Sequence, residues 1–100
     1  MILIYVPCRN EEEAEKIASE LLKEKLIACA NQFKSFSMYS WEGTVEYEPE
    51  CVLIAKTTDA NEEKVRKKIK ELHSYELPAI ISLPAKANAE YEAWVKEQVK

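Results

Sequence analysis

The chain has 100 residues, of which 47% are apolar, and its formal net charge is −4. A chain of this length predicts one domain over residues 1–100, and its negative charge argues against nucleic-acid binding, which normally needs a basic face. No apolar run approaches the roughly 20 residues that span a bilayer. The residues after Met1 also lack the pattern of a signal peptide. We therefore expect a cytoplasmic protein without a membrane or nucleic-acid partner.

The charged residues and the cysteines further limit the kinds of protein that this chain can be. Seventeen glutamates and twelve lysines stand beside a single glycine, and this composition is associated with ion-pair networks in hyperthermophile proteins, so we expect heat stability. No two cysteines have the CxxC spacing of zinc-ribbon or thioredoxin proteins. Because Cys8, Cys29 and Cys51 have apolar neighbours, we interpret them first as small buried hydrophobic residues.

The first two elements are a strand and a helix. Ile2–Val6 is a continuous apolar run and predicts a buried strand, which we expect Pro7 and Asn10 to end. Asn10 and Glu13 have the spacing of a capping box. The helix that follows carries one apolar stripe, formed by Ala14, Ile17, Ala18, Leu21 and Leu22.

A long hairpin is predicted in the middle of the chain. Period-two alternation begins at Leu26, and its parity changes near Lys34-Ser35, which indicates a β-bulge within one long strand. The only glycine, Gly43, lies between two β-rich runs and predicts the hairpin turn. The return strand is expected from about Val45 to Thr57, with Pro49 at an edge or a second bulge.

The last third of the chain predicts a helix, a strand and another helix. Asp59 or Asn61 is expected to cap the first of these, Pro78–Leu83 to form the strand, and Asn88 to cap the second helix. Their inward positions are Val65, Ile69, Leu72, Tyr91, Trp94 and Val95. The order β-α-β-β-α-β-α predicts the α+β class, as a ferredoxin-like βαββαβ unit plus a C-terminal helix, with two helices on one face of an antiparallel sheet.

The length of the two middle strands predicts an oligomer. About 14 residues at roughly 3.3 Å each span about 46 Å, whereas a compact 100-residue domain has a radius of gyration of only about 13 Å. The hairpin should therefore overhang, which would leave Tyr39, Trp41 and Tyr47 in water. The apolar run Cys51–Ala55 also requires cover on both faces. A neighbouring subunit would meet both needs, and the alternative is a bent hairpin that folds back over its own sheet.

His73 is the only histidine and the first residue of the segment His73–Pro78. Imidazole together with thiolate suits copper and zinc, so one interpretation makes His73 a metal ligand helped by Glu76 and a cysteine. The alternative is a surface histidine at the C-terminal end of the preceding helix, where the helix dipole favours a cation. One histidine and one aspartate leave few ways to build a hydrolytic triad, and one glycine cannot form a phosphate-binding loop. We expect no enzymatic activity.

Five short segments in a fixed order resemble one known family. They are Glu24–Asn31 (E-K-L-I-A-C-A-N), Tyr39–Gly43 (Y-S-W-E-G), Lys56-Thr57, His73–Ile80 (H-S-Y-E-L-P-A-I), and Tyr91 with Trp94. This set resembles the CutA divalent-cation-tolerance proteins. The resemblance implies a ferredoxin-like homotrimer assembled through the long strands, with an architecture shared with PII signalling proteins, and a role in divalent metal (copper) tolerance.

The resemblance also implies a metal site. Some members of the family are associated with copper ligation by the loop histidine and a cysteine near the end of the first strand. That cysteine position falls on Val6 here, and Cys8 lies two residues later, so the predicted metal ligands are His73, Cys8 and Glu76. The expected ion is Cu(II) or another divalent cation, weakly bound and not required for folding. Ser74 stands where the family usually has proline, which predicts a less rigid loop.

The remaining candidate residues are assigned to a trimer interface or to a cleft between subunits. They are Cys29, Phe33, Tyr39, Trp41, Tyr47, Lys56, Tyr75 and Trp94. Tyr39 and Trp41 either line a ligand pocket or only pack in an interface. Cys29 is either a ligand or redox thiol or a buried spacer, and Lys56 either contacts an anion or reaches the sheet edge. The alternative function is a PII-like small-molecule or protein-signalling module acting at these clefts, and a further protein partner would leave no mark in the sequence.

Overall fold

The computed structural model describes residues 1–100 as four strands and three helices. In chain order they are β1 (Ile2–Cys8), α1 (Glu11–Lys23), β2 (Cys29–Trp41), β3 (Thr44–Thr57), α2 (Glu62–Leu72), β4 (Ile81–Pro84) and α3 (Ala89–Gln98), with a 3₁₀ turn at Asp59–Asn61. The sheet order is β2-β3-β1-β4, and every neighbouring pair is antiparallel. The predicted ferredoxin-like α+β fold with a C-terminal helix is confirmed.

The register of the sheet sorts its side chains into two faces. Val6 lies opposite Leu53 and Ile4 opposite Ala55, and these residues belong to one buried cluster with Ile17 of α1 and residues of α2. We call this side the helix face. Because successive strand residues point to opposite sides, Val52 and the other even-numbered residues of β3 lie on the second face.

Strand β1 continues past its predicted end. Pro7 is part of the strand and lies opposite Val52, and Cys8 lies opposite Cys51. The expectation that Pro7 ends the strand is wrong because β4 pairs only with Ile2–Tyr5. Beyond Tyr5 the strand has a free side, where a proline breaks no ladder hydrogen bond. The extra residues bring the Cys8 thiol into the core on the helix face.

Helix α1 begins with the predicted cap. The Asn10 side chain accepts a hydrogen bond from the Glu13 N–H at 2.9 Å. The Glu13 carboxylate does not return to Asn10 as in a full capping box, but accepts from the Arg9 N–H at 2.8 Å. Within the predicted apolar stripe, Leu22 remains exposed.

The long hairpin is regular along its whole length. Its register runs without interruption from Cys29 opposite Lys56 to Trp41 opposite Thr44, so the predicted bulge near residues 34–35 is wrong. The apolar positions change from odd to even numbers between Phe33 and Phe36. This change indicates a bulge only if the same face of the strand is buried along its whole length. Both rings are exposed, on opposite faces, because the hairpin extends beyond the helices there.

The turn and the outer part of the hairpin agree with expectation. Glu42 and Gly43 have φ values of 49° and 79°, which is the pattern of a two-residue type I′ turn. The molecule measures 46 Å along its longest axis and 20 Å along its shortest, so the predicted overhang is confirmed. Pro49 lies opposite Phe36, where β3 has only β2 as a neighbour, so it occupies an edge.

In Cys51–Ala55 every residue but the half-buried Ile54 is buried, and both faces of this stretch are covered within one chain.

Helices α2 and α3 begin near the predicted residues but without the predicted side-chain caps. The Asn61 side chain instead donates to the Lys100 carbonyl at 3.1 Å. Val65 and Ile69 are buried as predicted, and so is Val95. Trp94, predicted to face inward, is 39% exposed. Strand β4 is shorter than predicted, and no helix is both long and apolar enough to cross a membrane.

Candidate metal centre and the neighbouring groove

His73 is fixed at the C-terminal end of α2. Its N–H donates to the Ile69 carbonyl at 2.9 Å, and its side chain is completely buried. The ring Nε2 lies 2.9 Å from the Pro7 carbonyl oxygen, and Nδ1 lies 3.1 Å from the Tyr75 nitrogen. Since a carbonyl only accepts and an amide N–H only donates, Nε2 is the donor to Pro7 and Nδ1 is the acceptor from Tyr75. The alternative of a surface histidine at the C-terminal end of α2 placed the residue correctly, but the side chain is buried rather than on the surface.

The His73 ring and two other side chains bring three chemically different donor atoms close together. One ligand atom each from Cys8, Glu13 and His73 lies within 4.8 Å of the other two. Cys8 is the last residue of β1, and Glu13 lies in the first turn of α1. The Glu13 Oε1 is 3.9 Å from the His73 Nδ1. The thiol, carboxylate and imidazole of the cluster therefore come from three separate elements.

The Glu13 carboxylate is held in its charged form. Its Oε1 accepts from the Arg9 N–H and its Oε2 from the Ser74 N–H, each at 2.8 Å. Burial by itself raises the pKa of Glu13, but these hydrogen bonds lower that pKa below its ordinary value. The cluster thus contains a fixed negative charge next to the imidazole, and such a charge favours a cation.

The Cys8 thiol is protonated in the absence of a metal. Burial, followed by the charges of Glu13, Cys51 and Glu50, raises the pKa of Cys8 to about 12. Its Sγ lies 3.6 Å from the Val6 carbonyl, the weak contact that a thiol makes as a donor. A metal that binds here has to displace this proton.

Ser74 ties the loop after α2 to the start of α1. In addition to the bond from its N–H to Glu13, its Oγ accepts from the Arg9 Nε at 3.2 Å. A proline at this position has no N–H to give to Glu13. The serine was expected to make the loop less rigid, but these two bonds hold the loop against the helix.

An acidic and aromatic groove of about 830 Å³ lies beside the cluster. Glu50 lies on the second face of β3, almost fully buried, and accepts from the Tyr75 hydroxyl at 2.6 Å and from the Ser37 hydroxyl. Burial and this bond to Glu50 raise the pKa of Tyr75 above its ordinary value. Glu76, a predicted ligand, lines this groove and is not one of the three clustered donors. The groove also contains Tyr39, Trp41, Glu46 and Glu48.

The other predicted interface residues lie apart from the cluster. The Tyr91 hydroxyl is 3.3 Å from the Cys29 Sγ, and the Lys56 ammonium lies 5.4 Å from the centre of the Tyr91 ring. Cys29 is half-buried rather than fully enclosed. Phe33, Tyr47 and Trp94 are exposed.

Sequence reasoning missed Glu13 as a member of the cluster. Its spacing from Asn10 indicated only a helix cap, and a capping carboxylate normally bonds within its own helix. What brings it to His73 is the packing of the loop after α2 against the start of α1, through the Ser74 N–H. No local pattern in the sequence indicates that contact.

The fold and the cluster define a small ferredoxin-like α+β protein with a thiol, a carboxylate and an imidazole gathered at one end of its core. The family model described as CutA1 divalent ion tolerance protein matches residues 2–98. The chain belongs to this family, as the five short sequence segments predicted.

Relatives match the chain over its whole length. The divalent-cation tolerance protein CutA of Pyrococcus horikoshii is 42% identical over 101 residues, which cover 100% of this chain and 99% of the relative. The crystal structure of CutA1 from the same organism has a TM-score of 0.96 at 40% identity, with 100% of this chain and 99% of that chain covered. The structure of the periplasmic divalent cation tolerance protein CutA from Archaeoglobus fulgidus also has a TM-score of 0.96, at 38% identity, with both chains fully covered. The heat stability predicted from composition fits relatives from hyperthermophiles.

Proposed function

We propose that the chain contributes to divalent metal tolerance by binding copper or another borderline divalent ion at Cys8, Glu13 and His73. The observation that carries this proposal is the approach of three donor atoms to within 4.8 Å of one another. Metal–ligand bonds of roughly 2.0–2.3 Å need donors somewhat closer together, so each atom has to move by about 1 Å or less. Imidazole and thiolate are ligands that suit copper and zinc.

The hydrogen bonds of His73 indicate which nitrogen binds. Metal-bound histidines almost always donate their other N–H to a carbonyl or carboxylate, which orients the ring. The Nε2–Pro7 bond of 2.9 Å already has this form, so Nδ1 is the ligand atom. Nδ1 also faces Glu13. Binding requires Nδ1 to give up its bond from the Tyr75 N–H.

The same features predict weak binding without catalysis. The ion has to displace both a thiol proton from Cys8, whose pKa is raised to about 12, and the bond between Tyr75 and His73. Proton competition lowers the apparent metal affinity at neutral pH. With the ring held by Pro7 on one side and the ion on the other, His73 has no free nitrogen to act as an acid or base.

We also propose a homotrimer in the cytoplasm. Support for the assembly comes from the overhanging hairpin and its exposed aromatic side chains, and from membership in a family whose resemblance implied a trimer. The cytoplasmic location is a prediction from the sequence alone. The Archaeoglobus fulgidus relative is described as periplasmic. Nothing in the comparisons favours the alternative of a PII-like signalling module, and the two-residue hairpin turn leaves no long loop there.

The test of the metal site is a His73→Ala variant with a Glu76→Gln control. The reduced, metal-free proteins are titrated with Zn(II), which does not oxidise thiols, and then with Cu(II). Because loss of even an outer partner of a metal ligand costs about 10–100-fold in affinity, we expect His73→Ala to weaken the tightest site by about 100-fold or more. Glu76→Gln, in the groove, should bind as the wild type does. An unchanged affinity in a folded His73→Ala variant would contradict the proposal.

A further inference from the structure

A second thiol lies next to the proposed metal ligands. Cys51 of β3 is the cross-strand partner of Cys8. Both side chains point to the helix face, are almost completely buried and form no disulfide. Residues directly opposite on one face of an antiparallel pair have Cβ atoms about 4.5–5.5 Å apart. The two cysteines are therefore cross-strand neighbours in the core.

The register brings the two cysteines within reach of one ion. The Cys51 Sγ is not among the donors that all lie within 4.8 Å of one another, but rotation about its Cα–Cβ bond carries the sulfur toward Cys8. Two thiolates bound to one ion at about 2.3 Å each are separated by less than the span of such a cross-strand pair.

We propose that Cys51 is a further ligand and makes the centre a bis-thiolate site selective for soft, thiophilic ions, with Cd(II) and Cu(I) as representatives. This proposal rests on the metal site proposed above and deepens it. Cys8, Cys51 and His73 supply two sulfurs and one nitrogen, a donor set that soft ions prefer over oxygen ligands. Glu13 remains the oxygen ligand of the site, and it keeps its bonds from Arg9 and Ser74.

Cys29 provides a matched internal control. It lies on the second face, opposite Lys56, and its thiol contacts the Tyr91 hydroxyl instead of the cluster. Substitution of Cys29 removes one thiol from the protein without touching the proposed centre. An effect seen at Cys51 and not at Cys29 is thus specific to the cross-strand pair.

The experiment is an anaerobic Cd(II) titration of the reduced full-length protein, followed by thiolate-to-cadmium charge-transfer absorption. Its intensity per bound ion counts the coordinating thiolates. We expect the wild type and Cys29→Ala to give the same intensity, and Cys51→Ala to give about half of it, with a Cd(II) affinity lower by at least about tenfold. Preference for Cd(II) over Zn(II) should also fall in Cys51→Ala.

The outcomes distinguish failure of the Cys51 role from failure of the whole proposed metal site. Wild-type intensity and affinity in Cys51→Ala, together with loss of binding in His73→Ala and Cys8→Ala, would overturn the role of Cys51 and leave the three-residue site standing. Unchanged binding in all three variants would overturn both. If Cys51→Ala fails to fold, as judged by circular dichroism, Cys51→Val removes the same donor and keeps an apolar side chain of similar size.

Discussion

At the scale of single residues, Glu13 connects three parts of the molecule. Its two carboxylate oxygens accept from Arg9 before α1 and from Ser74 after α2, and its Oε1 also faces His73. Hydrogen bonds to a charged acceptor contribute about 1.5–3 kcal/mol each to stability. The charge on Glu13 therefore stabilises the fold as well as the proposed cation site.

The lowered pKa of Glu13 predicts a specific acid sensitivity. A carboxyl group whose pKa is lower in the folded state stabilises the protein above its unfolded pKa, near the ordinary value of 4.5, and this contribution disappears as the pH falls through the folded value. We expect Glu13→Gln to be less stable than the wild type by about 1–2 kcal/mol at neutral pH, and the difference to shrink as the pH falls below 4.5.

Calorimetric unfolding of the metal-free protein across this pH range measures the effect. Glu12→Gln is the matched control, because Glu12 is exposed on the same helical turn and makes no such bonds. A constant difference between Glu13→Gln and the wild type at all pH values would show that the charge of Glu13 is not what stabilises the fold.

At the scale of elements, the β2–β3 hairpin depends on its two turn residues. Glu42 and Gly43 both have positive φ, and among non-glycine residues asparagine tolerates this region best. A Cβ at Gly43 would meet no atom within 4 Å, so a substitution there carries only a backbone cost. The turn is strained at Glu42 and relaxed at Gly43.

Substitutions at the turn should therefore change stability in opposite directions. We expect Glu42→Asn to stabilise the protein by about 0.5 kcal/mol, since Asn-Gly is a preferred type I′ pair, and Gly43→Ala to destabilise it by about 1–2 kcal/mol. Denaturant unfolding measures both. Glu48→Asn, in an exposed strand position, should give no gain, and a gain equal to that of Glu42→Asn would contradict the turn explanation.

At the scale of the whole molecule, the shape does not suit an isolated chain. Near the hairpin end, Phe36 and Tyr47 stack with ring centres 5.8 Å apart and remain 67% and 62% exposed. Met38, Val45 and Trp41 are also exposed there. Exposed apolar clusters of this kind usually mark an interface, so the hairpin is the surface on which the proposed trimer depends.

The prediction is a change of mass on substitution of the stacked pair. We expect native mass spectrometry to find a trimer for the wild type and a monomer for the Phe36→Glu/Tyr47→Glu variant, because buried unpaired charges oppose assembly. Leu22→Glu, at an exposed apolar position on α1, should leave the trimer intact. A monomeric wild-type protein at micromolar concentration would contradict the assembly.

Most of the fold could be predicted from local pattern alone. The apolar stripe of α1, the positive-φ turn at Gly43 and the long alternating strands depend on residues close together in the chain, so period and turn chemistry were sufficient. The prediction failed at Pro7 and near Lys34 because the strand structure there depends on which other strands and helices lie next to it. Sheet edges and overhangs are properties of the assembled sheet.

The sequence by itself determined the order of elements, the hairpin turn and the family, and it pointed to His73 and Cys8 as candidate metal ligands. Only the tertiary structure decided that Glu13 and not Glu76 joins these two side chains, and that Cys51 lies opposite Cys8. The physical reason is that both contacts depend on strand register and on how the loop after α2 packs against the start of α1. Cys8 and Cys51 are 43 positions apart in the chain, and Glu13 and Ser74 are more than 60 positions apart. Hydrophobic period carries no information over such separations.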